Sequence, residues 1–112
     1  MAKQDRGPVG GSTTMLVLAL LKDKEMYGYQ IIEELESRSN SVFKLKEGTL
    51  YPILHSLEKD KLVTAREMET PGGRTRRYYH ITVQGQLHLA ARMEEWQVFS
   101  DAVTLVLKPE EV

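Results

Sequence analysis

The chain has 112 residues, with 15 Lys and Arg against 16 Asp and Glu for a formal charge of -1, and it contains no Cys. This is the length of a single domain, and the lack of Cys excludes a disulfide framework, a thiolate zinc site and a Cys nucleophile. Hydrophobic residues at 41% suffice for a core. The longest apolar run, Met15 to Leu21, falls far short of the roughly 20 residues that span a bilayer and lacks signal-peptide flanks, so no membrane segment and a cytoplasmic location are expected.

Residues 1–14 contain Gly7-Pro8 and Gly10-Gly11-Ser12 with almost no periodic apolar content, which predicts a flexible N-terminal arm. The run Met15 to Lys22 is rich in helix formers and predicts a first, largely buried helix capped by Thr13 or Thr14. After a polar stretch, Tyr27-Gly28-Tyr29 opens a second helical segment with Ile31, Ile32 and Leu35 inward and Glu33, Glu34 and Glu36 outward. A third helix is predicted to begin at Glu47 to Thr49. It carries Leu50, Ile53, Leu54 and Leu57 at i, i+3, i+4 and i+7, with Pro52 placed in its first turn.

The period then changes. Residues 62–68 and 76–82 are rich in strand formers and flank the Gly-rich, basic stretch Glu69 to Thr75, which predicts a β-hairpin. From Val83 onward, Leu87, Leu89, Ala90, Met93, Trp96, Phe99, Val103, Val106 and Leu107 describe a long helix that Pro109 closes. The expected fold class is mainly α with a small β-hairpin: a winged helix-turn-helix over residues 15–82, a C-terminal dimerisation helix over 83–108 and a tail over 109–112.

The charges are unevenly placed along the chain. Residues 44–80 hold eight Lys or Arg and five acids, a local balance of +3, whereas residues 81–112 sum to -3 and residues 1–43 to -1. A basic third helix and hairpin suit a phosphate-binding face, because Lys and Arg contacts to phosphates supply most sequence-independent DNA affinity. The alternative is a solvated, mixed-charge surface.

Four strings in this order, Tyr27-Gly28-Tyr29-Gln30-Ile31, Glu47-Gly48-Thr49-Leu50-Tyr51-Pro52, Leu57 to Leu62 and Gly72 to Thr82, resemble the PadR family of bacterial transcriptional regulators. The resemblance covers roughly residues 15 to 107. It implies a winged helix-turn-helix repressor, dimeric through its C-terminal helix, that leaves its operator when an effector binds. Lys61 departs from the pattern, since the family commonly has Gly there, a residue better suited to a left-handed helix end.

The third helix would bring its first turn to the major groove. Lys46 and Thr49 are candidate phosphate contacts; Tyr51 reads as a phosphate donor or as a half-buried aromatic. His55 reads as a base contact or a solvated side chain, and it shares the face opposite the apolar residues with Lys59. Gly72-Gly73 permits a tight turn from which Arg74 and Arg76 project toward the DNA backbone or a minor groove, and with Arg77 they are crowded cations that call for an anion; the alternative is a merely soluble loop. In the last helix Leu89, Met93, Trp96, Ser100, Val103 and Leu107 follow spacings of 4, 3, 4, 3 and 4, the seam of a helix pairing that Phe99 widens. The sole Trp, Trp96, reads as a dimer-core anchor or, with Met93 and Phe99, as the wall of a site for a flat aromatic effector.

His55, His80 and His88 show no metal-ligand or zincin spacing, and neither a nucleophile elbow nor a P-loop is present, so no catalytic residue, cofactor or metal is expected. The expected partners are double-stranded operator DNA, a second copy of the chain and a small aromatic effector. Two rival readings are a winged-helix protein-interaction module and a small-molecule-binding dimer without DNA binding.

Overall fold

Three helices, a small antiparallel sheet and a long fourth helix build the protein, whose computed structural model describes residues 7–108, with side chains from Ser12 onward. The elements are α1 (Gly7–Asp23), β1 (Met26–Tyr27), α2 (Gly28–Arg38), α3 (Glu47–Lys59), β2 (Val63–Glu69), β3 (Thr75–Ile81) and α4 (Val83–Leu107). One core joins Val17, Leu18 and Leu21 of α1, Ile31 of α2, Leu50 and Leu54 of α3, Val63 and Ile81 of the sheet and Leu89 of α4. The apolar spacings read in α2 and α3 therefore face one interior, whereas of those read in α4 only Leu89 joins it. Among the described residues no helix is long and apolar enough to cross a membrane.

α1 starts at Gly7 rather than Met15, so residues 7–14 of the expected arm are helical and Thr13 and Thr14 lie inside the helix. Residues 1–6 fall outside the described residues, as do Pro109 and the tail. Pro8 sits in the first turn, where a helix needs no N–H from it. Ser12 is 8% exposed, and packing from there on offsets the low helix propensity of Ser and Thr.

The wing has three strands instead of two, in the order β1-β3-β2. β2 and β3 form the predicted hairpin, in register from Val63 opposite Ile81 to Glu69 opposite Thr75. β1 adds Met26 opposite Tyr79 and Tyr27 opposite Tyr78. At the tip, the amides of Gly73 and Thr70 donate to the carbonyls of Thr70 and Arg74, each at 2.8 Å, and Gly73 takes φ +83°. On the outer face of the sheet Arg66 pairs with Glu25, which holds that carboxyl below the usual range.

Pro52 is not in the first turn of α3 but one turn further in. Its missing N–H leaves the Gly48 carbonyl without an i+4 donor. Both residues face solvent, where a carbonyl needs no protein partner. The helix ends in a Schellman motif: Lys61 N–H donates to Glu58 C=O at 3.0 Å, Leu62 N–H donates to Leu57 C=O at 2.9 Å, and Lys61 takes φ +64°. The departure noted at Lys61 thus leaves the left-handed turn intact, at the steric cost of a Cβ. Lys61→Gly is expected to stabilise the fold by about 1 kcal/mol, read as a rise in the urea midpoint; an unchanged or lower midpoint would contradict it.

Thr82 caps α4 and ties it to that same turn. Its hydroxyl accepts from the Gly85 amide at 2.9 Å and lies 2.9 Å and 3.0 Å from the carbonyls of Lys61 and Leu62, between which its one proton is shared. Its own amide donates to Leu62 C=O at 3.0 Å. The end of α3 and the start of α4 are thereby one hydrogen-bonded unit.

Candidate nucleic-acid interface

α3 buries Leu50, Leu54 and Leu57 and turns Thr49, Tyr51, Pro52, His55 and Lys59 to solvent, so the face assigned to DNA is exposed. Lys46 is the extended N-cap, its carbonyl accepting from the Thr49 and Leu50 amides at 3.0 Å and 2.9 Å. No acidic residue occupies the first turn of α2.

Beside α3 the wing closes a groove of about 650 Å³, lined by Tyr27 to Tyr29, Glu47 and Tyr51 on one side and Arg74 to Arg77 and Tyr79 on the other. This brings together four of the predicted residues, Tyr51, Arg74, Arg76 and Arg77; Lys46, Thr49, His55 and Lys59 lie outside it, on or just before α3. Strand alternation sorts the wing side chains. Tyr79 enters the core, while Tyr78 stacks edge-on against Tyr27 with ring centroids 5.3 Å apart. The Arg76 guanidinium lies 4.1 Å from the Tyr27 ring centroid, a cation–π contact. Arg77, on the opposite face, donates to Glu58 Oε2 at 2.7 Å, and that carboxylate raises its already high pKa. The Arg74 side chain, at the tip, has no partner among the described residues.

Tyr51 is 42% exposed, and its ring crosses Gly28 so closely that a Cβ there would come within 2.2 Å of the hydroxyl oxygen. Burial, reinforced by the Glu47 carboxylate, pushes the hydroxyl above the usual tyrosine range. It therefore stays protonated and able to donate at neutral pH. Tyr51 thus packs against Gly28 of α2 while its edge lines the groove.

A three-helix head with a basic, three-stranded wing and an open groove beside the exposed helix is the geometry of a winged DNA-binding domain. Residues 17–91 match the sequence profile of the transcriptional regulator PadR-like family. The chain belongs to the PadR-like family of transcriptional regulators. A PadR-like regulator of Bacillus cereus has the same fold at a TM-score of 0.80 and 28% identity, covering 94% of this chain and 100% of that one. A protein of Lysinibacillus sphaericus is 32% identical over 100 residues, 89% of this chain and 92% of its own length. The transcriptional regulator Rv3488 of Mycobacterium tuberculosis is 39% identical over 67 residues, 60% of this chain and 59% of its own length.

In this PadR-like regulator one of the residues expected at a dimer seam belongs to the chain's own core. Leu89 is 2% exposed inside the chain's own core, since the first turns of α4 pack on α1, so it is unavailable to a partner. Met93, Trp96, Phe99, Val103 and Leu107 lie further along α4 and are exposed. Trp96 and Phe99 hold their rings 5.8 Å apart at 31°.

Sequence reasoning assigned no role to Tyr27, Tyr29, Glu47 or Glu58. Tyr27 and Tyr29 lay in a quoted string, and their signal was an aromatic pair at a helix start; Tyr29 is 51% exposed. Glu58 had no signal, because its partner Arg77 is 19 residues away.

Proposed function

We propose that this regulator is a homodimeric repressor. Two copies pair through α4 and set α3 and the wing in successive major grooves of a pseudo-palindromic operator, and a small aromatic effector bound at Met93, Trp96 and Phe99 releases the DNA. The observation that supports this reading is the division of surfaces: a basic groove at the head, and a long helix whose apolar side chains Met93, Trp96, Phe99, Val103 and Leu107 stay exposed among the described residues. Contiguous exposed apolar surface of that extent marks an interface, and a second copy is the partner that symmetry supplies most simply. Two-fold pairing sets the recognition helices about 34 Å apart, one turn of B-DNA.

In this reading Lys46, Thr49 and Tyr51 donate to phosphates at the entry of α3, His55 and Lys59 face base edges further along, and Arg74 and Arg76 follow the backbone from the wing. The Thr82 hydrogen bonds supply a route for release. An effector that tilts α4 carries the end of α3 with it, provided that it binds the tilted dimer more tightly.

Arg74→Ala and Arg76→Ala are each expected to weaken operator binding and to lower the slope of log affinity against log salt by about 1. Slopes unchanged in both variants would contradict the wing's role. Because Trp96 is the only Trp, its fluorescence reports the effector site without ambiguity. Planar aromatic compounds that release DNA are expected to quench it, and release without quenching would contradict that site.

A further inference from the structure

We propose that Arg77 and Glu58 form a strut that sets the angle of the wing against the recognition helix, making Arg77 a positioning residue and not a phosphate contact. The inference rests on the DNA-binding reading above and concerns which of its basic residues meet DNA.

Arg77 stands in the middle of β3 directly opposite Glu67 of β2. One nitrogen of its guanidinium donates to Glu58 Oε2 of α3 at 2.7 Å, and another lies 4.0 Å from Glu67 Oε2. The same guanidinium sits 5.9 Å from the centroid of the Tyr79 ring, which is itself fixed in the core. One cation thus serves two carboxylates from two elements, and the trio carries a net charge of -1. Such a cluster offers a phosphate no surplus positive charge, in contrast to Arg74 at the tip and Arg76 on the Tyr27 ring.

The position of the contact gives it its purpose. α3 and β2 are already joined at one end by the Schellman turn at Lys61, which acts as a single pivot. A second attachment between α3 and β3 limits the remaining freedom to rock. Both side chains are partly open to water, 45% and 37% exposed, so the strut is of the strength of a surface ion pair. It biases the wing angle without locking it.

Glu58→Gln tests this by the sign of its effect. Removing an acid from the recognition helix strengthens DNA binding if charge alone matters, and all the more if it frees Arg77 for a phosphate. Under the strut it weakens binding to the footprinted operator fragment about fivefold, mainly through faster dissociation, measured where circular dichroism shows full folding. Arg77→Gln is expected to weaken operator binding to the same degree, and the double variant no more than either single one. Operator binding by Glu58→Gln that is equal or tighter than wild type, or additive losses in the double variant, would overturn the strut.

A readout without DNA keeps the two readings apart. Hydrogen exchange of the β3 amides is expected to quicken about twofold to fivefold in each single variant, again without addition in the double variant. Unchanged exchange overturns the strut. If exchange responds as expected while Arg74→Ala leaves the salt slope unchanged, the strut stands and the DNA-binding reading of the wing fails.

Discussion

Val103→Glu combined with Leu107→Glu is expected to give a folded monomer that binds operator about a thousandfold more weakly than the dimer. Both side chains are exposed and lie beyond the part of α4 that packs on α1, so neither supports the core of its own chain. In the proposed pairing four carboxylates would face one another across the seam, a like-charge cluster that desolvation makes worse. The size of the loss follows from what dimerisation contributes. Once one head is bound, the second binds at a high effective concentration, and losing that link forfeits roughly 10²- to 10⁴-fold in affinity. Sedimentation and operator titration on the same samples check the prediction. A variant that stays dimeric, or a monomer that keeps wild-type affinity, would remove α4 pairing from the account.

Gly85→Ala is expected to destabilise the fold by about 3 kcal/mol or more, at the upper end of what overpacking does. A Cβ at Gly85 would stand 2.1 Å from the Leu62 carbonyl oxygen and 2.7 Å from Ile81 Cγ1. The nearest obstacle is backbone, held by Thr82 on one side and by the Schellman turn on the other, so no side chain can swing away to relieve it. Thermal melting is expected to drop by about 10 °C or more; a melt within a degree or two of wild type would show that α4 does not lie on that turn. Gly28 makes an instructive contrast. A Cβ there meets the end of the Tyr51 side chain, which can rotate out, so the strain would fall on the groove more than on the fold.

What could be read from the chain, and what could not, divides along a physical line. Helix faces and strand alternation are periodic, so α2, α3, the hairpin and the exposed face of α3 were legible from spacing alone. β1 was not, because two residues show no period; Met26 and Tyr27 are extended only because β3 offers them a register. The first half of α1 has the composition of a loop and is helical nonetheless. Leu89 fits the seam's spacing as well as Met93 does, and only the position of α1 decides that one is core and the other surface. The arginines of the wing show the limit most clearly. Their crowding announced an anionic partner, but for Arg77 that anion is Glu58 of the same chain, a pairing that no local pattern records. The family strings marked the candidate groove; which atoms meet within it is a property of the folded chain.

In the proposed assembly two heads, linked through α4 and each carrying α3 and a basic wing, read one operator. Footprinting the bound protein across the genome tests it most directly. The account predicts protected sites made of two related half-sites about 10 base pairs apart, centre to centre, bound by two chains and lost when Arg74 and Arg76 are both replaced by Ala. Protection of isolated single half-sites by one chain, or no site enriched above random sequence, would contradict it.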